Sequence, residues 1–188
     1  MEARDTDIKP RQATGVIFES ITASGSGCPG GSYTASISPS KDAGTIAFRE
    51  YSVVTPPSSL ECTISVTLTY PGGCTSGNFH STSHIWAQVN SGLTGTYGTS
   101  YTSSTGNSAS PADSTFSGPS WEAGEVFIKS DDAPAQVVNR SPNSAKVTVT
   151  VKTEISLLGS GSGGDLTPDD MSFVITDQAS DSDWENCS

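Results

Sequence analysis

Two histidines and a set of aromatic rings are the side chains of this chain with the most chemistry to offer. His80 and His84 are its only imidazoles. Four positions apart on an extended strand, they would lie about 13 Å from each other, too far to share a metal ion. Neither stands in a G-x-S-x-G nucleophile elbow. A Ser-His-Asp triad has no fixed order in sequence, so spacing neither reveals nor removes one. The four cysteines, Cys28, Cys62, Cys74 and Cys187, form no C-x-x-C and no Cys/His cluster at zinc spacing, so no metal is expected. The aromatic rings are more telling. Phe79, Trp86, Tyr97, Tyr101, Phe116, Trp121 and Phe127 fall between Arg49 and Lys129, an interval without a single Lys or Arg. An uncharged aromatic middle suits a pocket for hydrophobic small molecules. Phe79 and Phe127 read as ordinary core. Trp86 shares a strand phase with His84 and Gln88, a mixture odd for a core and natural for a pocket wall.

The elements that must position these residues are strands. Residues 62–74, CTISVTLTYPGGC, alternate strictly: Ile64, Val66, Leu68 and Tyr70 on one phase, Thr63, Ser65, Thr67 and Thr69 on the other. Pro71 and the glycines after it stop the run. Other strands are expected at 13–22 (Val16 and Phe18 on one face, Ile17, Glu19 and Ile21 on the other), at Tyr33 to Ile37, and at Gly44 to Val54 with Ile46 and Phe48 inward against Arg49 and Tyr51. More follow at Asn78 to Asn90, Glu122 to Ser130, Ala145 to Leu158 and Met171 to Thr176. The Ser/Thr/Gly-rich interval from Gly92 to Pro119 reads as a short hairpin and then a long loop, with Tyr97 and Tyr101 as mobile loop contacts. Helical periodicity is absent. About nine strands at turn-punctuated intervals predict an all-β, antiparallel two-sheet β-sandwich of jelly-roll type. Residues 1–12 read as a disordered lead, and 13–188 as one domain.

Composition agrees and excludes some functions. The chain has 188 residues and 33% hydrophobic content, with charged residues at only 15%. Ser, Thr and Gly supply the shortfall, which favours a β-rich secreted type over charge-driven disorder. A net charge of -11 argues against nucleic acid and against an anionic membrane surface. No apolar stretch is long enough to span a bilayer. The polar N-terminus has no signal-peptide h-region, and Met1 is expected to stand where a leader was replaced. Cysteine usage points to an oxidising compartment and two disulfides, although four cysteines allow three pairings. Asn139-Arg140-Ser141 is a glycosylation sequon, weakened by Pro142. The acid pairs Asp131-Asp132 and Asp169-Asp170 fit no calcium loop and read as solvated turns. A symmetric homodimer stays open.

GSGCPGGS at 25–32, the Cys62 strand running into Tyr70-Pro71-Gly72, and AQVNSGLTGT at 87–96 together resemble a widespread family of small secreted fungal proteins of unknown function. The resemblance covers the chain from Gly15 to Cys187. It implies cysteines at the GSGCP turn, at the start of the central strand and at the C-terminus, met here by Cys28, Cys62 and Cys187, with Cys74 as an extra one. The implied pairing is Cys28 with Cys62 and Cys74 with Cys187. Where that family shows Arg-Gly-aromatic before its AQ dipeptide, this chain has His84-Ile85-Trp86, which suggests a specialised surface.

Some similar fungal proteins are hetero-Diels-Alderases that couple a tropolone quinone methide to a macrocyclic sesquiterpene. The resemblance therefore implies a cofactor-free pericyclase of secondary metabolism rather than a hydrolase. Such a reaction needs an apolar cleft holding two reactants in near-attack geometry and a few polar groups. The candidate catalytic residues are His84, Tyr101 and Lys129; Trp86, Gln88, Tyr97, Phe116, Trp121 and Arg140 would bind substrate. The competing expectation is a non-catalytic secreted binding protein, either an effector or a carbohydrate-binding module. Aromatic rings among Ser and Thr serve sugars as readily as terpenes, and exposure separates the two: an enclosed pocket for a cyclase, an open aromatic face for a binder.

Overall fold

The computed structural model describes residues 15–71, 75–139 and 143–177, with side chains for 15–71, 77–132 and 143–176. Their backbone is all β. Eleven strands follow in order: β1 (Ile17–Ser24), β2 (Tyr33–Ile37), β3 (Ala43–Phe48), β4 (Ser58–Tyr70), β5 (Thr75–Val89), β6 (Leu93–Ser103), β7 (Ser108–Ala109), β8 (Ser114–Ser117), β9 (Glu125–Asn139), β10 (Ala145–Gly159) and β11 (Gly164–Asp177). Two sheets divide them. A six-stranded sheet runs β1-β4-β10-β6-β7, with β8 also on β6, and a five-stranded sheet runs β2-β3-β11-β5-β9. Every pairing is antiparallel.

The two inner faces make the core. From the six-stranded sheet come Ile64, Val66 and Leu68 of β4 and Val149, Val151, Ile155 and Leu157 of β10, all buried. Ile46, Phe79, Ile85, Leu166, Met171 and Phe173 meet them from the other sheet. Each such side chain contributes roughly 1.5–3 kcal/mol on burial. Strict alternation in β4 and β10 is therefore a direct consequence of one dry and one wet face.

Three local departures from simple alternation matter. A bulge between Phe18 and Ser20 in β1 resets the phase, so Phe18 and Ile21 both point into the core, not to opposite faces. β3 ends at Phe48; the chain then bends, and Tyr51 turns inward, where its hydroxyl meets Thr153 Oγ1 at 3.0 Å. The interval after Gly92 does hold a hairpin, β6 turning at residues 104–107 into β7, but its first arm is long and carries Tyr97 and Tyr101 within the strand. β6 is an eleven-residue strand, because Leu93, Tyr97 and Tyr101 supply an apolar phase while Thr94, Thr96, Ser100 and Thr102 face out. With β7 and β8 beside it, the strands number eleven rather than about nine.

Cys28 and Cys62 form a disulfide that ties the β1–β2 turn to β4, both residues fully buried. Gly27 N and Glu61 N bond across the same junction, to Glu61 O at 2.8 Å and Ser26 Oγ at 3.0 Å. Cys74 and Cys187 lie outside the described residues. Closing a loop of 34 residues stabilises the fold by about 3–4 kcal/mol in the chain-entropy account. Replacing Cys28 and Cys62 together by alanine should lower the unfolding free energy by that amount in a denaturant titration; an unchanged midpoint would show that the bridge adds nothing.

Candidate functional site

β5 sorts the candidate residues onto two sides of its sheet. Ser81, Ser83, Ile85, Ala87 and Val89 point into the sandwich and are buried. His80, Thr82, His84, Trp86 and Gln88 point outward and are half-buried. The ladders then supply neighbours for the outward row. On β11 the partners of His84, Trp86 and Gln88 are Asp170, Thr167 and Asp165. On β9, Ile128 pairs with His84 and Val126 with Trp86.

This outer face mixes apolar surface with hydrogen-bonding groups. Val126 is 53% and Ile128 56% exposed, beside the indole of Trp86. The Asp170 carboxylate accepts from His84 Nδ1 at 2.7 Å on an imidazole whose side chain is 40% exposed. That bond fixes the ring's orientation and leaves Nε2 as its second polar atom. A bulge between Pro168 and Asp170 turns Asp169 to the same end. Partial burial, reinforced by the Asp170 charge and opposed by His84, raises the Asp169 carboxyl above the ordinary carboxylate range. At the other end Asp165 Oδ1 accepts from Thr167 Oγ1 at 2.6 Å and from Ser52 Oγ at 3.1 Å.

The Trp121–Gly124 segment holds the indole in place. Gly124 has φ +72°, and a Cβ there would lie 2.5 Å from the Trp86 ring, so only glycine lets the backbone pass against it. Gln88 Nε2 donates to Glu122 O at 3.2 Å, and Glu122 Oε1 accepts from Ser91 N and Oγ at 2.9 and 2.6 Å. Trp86 is thus fixed along one edge, with its other neighbours on an open sheet face.

The remaining candidates lie on the inner side. Lys129 and Asp131, on β9, are 7% and 6% exposed and form an ion pair. Lys129 Nζ also donates to Thr99 Oγ1 at 3.0 Å, and Thr99 donates onward to Asp131 Oδ2 at 2.7 Å. Tyr101 donates to the same carboxylate oxygen. Its hydroxyl proton is therefore committed, and Ser81 Oγ, 2.6 Å away, donates to Tyr101. Ser83 and Tyr97 hydroxyls pair at 2.8 Å. Burial pushes the Tyr97 and Tyr101 phenols well above their ordinary range; the Ser83 and Ser81 bonds oppose this, whereas Asp131 adds to it. Phe116, Trp121 and Phe127 form an edge-to-face cluster, with centroids 4.8, 5.3 and 6.1 Å apart.

The candidates expected to line one cleft therefore separate. His84, Trp86 and Gln88 lie outside the five-stranded sheet; Tyr97, Tyr101, Phe116 and Lys129 lie inside the sandwich, and Trp121 packs against its rim. Tyr97 and Tyr101 are fixed in β6 rather than carried on mobile loops, because their rings fill the core while their hydroxyls find partners. Lys129, a candidate catalytic residue, and Asp131, expected on a solvated turn, are both buried, because they fall on the inward phase of β9 and pair there. Arg140 lies outside the described residues, as does the side chain of Asn139. Among the described residues, no group of three or more His, Cys, Asp or Glu is placed to hold a metal ion.

Comparison with known proteins adds a family. The profile of DUF4360, a domain of unknown function, matches residues 14–187. The chain belongs to this family. No curated protein matches it significantly. Among solved structures, the DUF4360 domain is similar to the TmCBM61 module solved with beta-1,4-galactotriose, at 16% identity over 86% of this chain and 91% of that one, with a TM-score of 0.35. It is also similar to the C-terminal CBM6 of LamC from Zobellia galactanivorans, at 8% identity over 82% and 99% of the two chains, TM-score 0.25. A tailspike domain of bacteriophage CBA120 matches at 14% identity over 82% of this chain and 19% of that one, TM-score 0.27. A likeness this distant says nothing about a ligand. No helix of the described residues is long and apolar enough to cross a membrane.

Removing one partner of a buried ion pair costs about 3–5 kcal/mol, whereas replacing both with apolar groups is near neutral or stabilising. Lys129→Met should therefore destabilise the DUF4360 domain by about that amount, and adding Asp131→Leu should recover part of it, the remainder reflecting the Thr99 and Tyr101 hydroxyls that lose their acceptor. Equal losses in the single and double variants would show that the pair is not coupled. The tyrosines set a pH limit. Phenols raised in the folded state contribute stability that is complete below their ordinary value near 10 and is lost as pH rises above it. Alkaline titration should show tyrosinate absorbance at 295 nm from Tyr51, Tyr97 and Tyr101 arriving together with unfolding. Early, unfolding-independent ionisation of all five tyrosines would contradict their burial.

Proposed function

We propose that this DUF4360 domain is a non-catalytic, secreted carbohydrate-binding protein whose ligand lies on the outer face of the five-stranded sheet. The observation that carries this reading is Trp86. Its indole stands half-exposed on an open sheet face, locked along one edge by Gly124, and it is bordered by hydrogen-bonding side chains rather than enclosed. A pyranose presents an apolar C–H face and a rim of hydroxyls. The Trp86 ring takes the first, and its ladder partner Thr167, with Gln88 and His84 Nε2 two positions to either side on β5 and their partners Asp165 and Asp170, is there to take the second. Val126 and Ile128 extend the apolar part of the face. The buried Cys28–Cys62 bridge supports the secreted part of the reading.

A cycloaddition asks for something else. It requires an enclosed apolar cleft in which two reactants meet. The rings that would build one lie on opposite sides of β5's sheet, and the hydroxyl of Tyr101 is consumed by Asp131 and Ser81. The open-face reading uses the residues where they stand.

The test is glycan binding by the purified, oxidised domain, followed by tryptophan fluorescence and calorimetry against soluble neutral glycans. A saturable response should weaken roughly tenfold or more, at least ~1.4 kcal/mol, in Trp86→Ala, and less in Gln88→Ala. Trp121→Phe should retain binding, because that ring packs edge-to-face with Phe116 and Phe127 against the rim of the sandwich, away from the outer face. Absence of any glycan response, or a response indifferent to Trp86, would overturn the reading.

A further inference from the structure

We propose a second ligand site, on the outer face of the six-stranded sheet, that takes a small polyhydroxylated molecule carrying a protonated amine, of the amino-sugar class. It shares no residue with the Trp86 face and stands or falls separately from it.

The site is a groove of about 300 Å³, at the lower end of the range for small-molecule sites. β6 forms its floor, and residues 110–113, which fold back before β8, form one wall. Its chemistry comes from Thr96, Ser100, Asp113, Lys152 and Glu154, around the bare backbone of Gly98. Gly98 has no side chain to hold Asp113 away: a Cβ at 98 would stand 2.7 Å from Asp113 Oδ1. Without it the Asp113 carboxylate lies over the strand. Glu154 is the direct ladder partner of Gly98 on β10, which brings a second carboxylate to the same point.

Charge then selects the ligand. Glu154 is also the ladder partner of Glu61 on β4, a like-charge pairing that costs stability. Lys152 lies with its Nζ 2.6 Å from Glu61 Oε2 and also feels the charge of Glu154, so one ammonium is shared between these acids. Asp113, Glu154 and Glu61 thus face a single ammonium, and the groove keeps an excess of negative charge. A cation seated between Asp113 and Glu154 relieves it. The hydroxyls of Ser100 and of Thr96, which meets Ser156 Oγ at 2.5 Å, offer partners to a polyol. No aromatic side chain lines the groove, so recognition rests on hydrogen bonds and charge. The chain's net charge of -11 favours encounter with such a ligand.

The experiment is calorimetric titration of the intact domain with the disaccharide of glucosamine and, separately, with its N-acetylated form. The free amine should bind and the acetylated sugar should bind at least about tenfold more weakly. Asp113→Asn with Glu154→Gln should lower affinity for the amine by a similar factor, and Trp86→Ala should leave it unchanged. Asp113 and Glu154 are exposed, and circular dichroism checks that the double variant keeps its sheet structure. Four outcomes would overturn the proposal: no binding, equal affinity for both sugars, retention in the folded double variant, which assigns attraction to overall charge, or loss in Trp86→Ala, which assigns binding to the other face.

Discussion

β5 obeys a period of two because it borders a dry interior on one side and water on the other, and the proposed Trp86 face depends on that constraint. Ser81, Ser83, Ile85, Ala87 and Val89 are committed to the core, so His84, Trp86 and Gln88 are committed to the outside. A slip of one residue in the ladder would exchange the two sets. What prevents it is the inner face: Ile85 and Val89 would become exposed, and the polar row, including Trp86, would enter the core. The registers with β9 and β11 then bring Val126, Ile128, Asp165, Thr167 and Asp170 to the outward row without any requirement of their own for being there.

The interior is not uniformly apolar, and its polar part has a clear place. Lys129, Asp131, Thr99, Tyr101 and Ser81 occupy the region where β9, the edge of one sheet, meets β6 near the edge of the other. Taking two charges out of water is costly, and an apolar replacement would pack at least as well. The network does something packing would not: its directional bonds join β5, β6 and β9 across the sandwich in one arrangement. That joins the strand carrying Val126 and Ile128 to the one carrying Trp86, and it fixes the outer face from beneath.

Much of the fold is legible in the sequence because the signal is physical. Alternation in β4 and β10, turn residues between strands and a lack of helical periodicity suffice for a two-sheet sandwich. Local errors arise where a backbone irregularity resets the phase, as at the β1 bulge, or where small residues mimic a loop, as in β6. The site is less legible, for a different reason. That Trp86, His84 and Gln88 share a face follows from spacing, and so, in principle, does the buried pair, since Phe127, Lys129 and Asp131 fall on one phase. But neighbours such as Asp170 beside His84, or Gly124 beneath Trp86, are supplied by strands and turns distant in sequence. Only the register reveals them, and an aromatic list without it cannot say which rings face each other.

Solvent exposure is what connects the two outer faces to the proposed binding role. A cyclase, or any enzyme that works through preorganised contacts, needs a site from which water is excluded, since that is where electrostatic and hydrogen-bond contributions grow large. The buried groups Lys129, Asp131, Tyr97 and Tyr101 already have hydrogen-bond partners within the protein. The groups left with capacity for a ligand, Trp86 with His84 on one sheet and Asp113 with Glu154 on the other, stand in contact with solvent. Their arrangement can gain affinity from stacking, hydroxyl contacts and charge, each modest and reversible. A sandwich whose interior groups are committed to one another, and whose stacking and hydrogen-bonding groups stand on its faces, fits the proposed binding role.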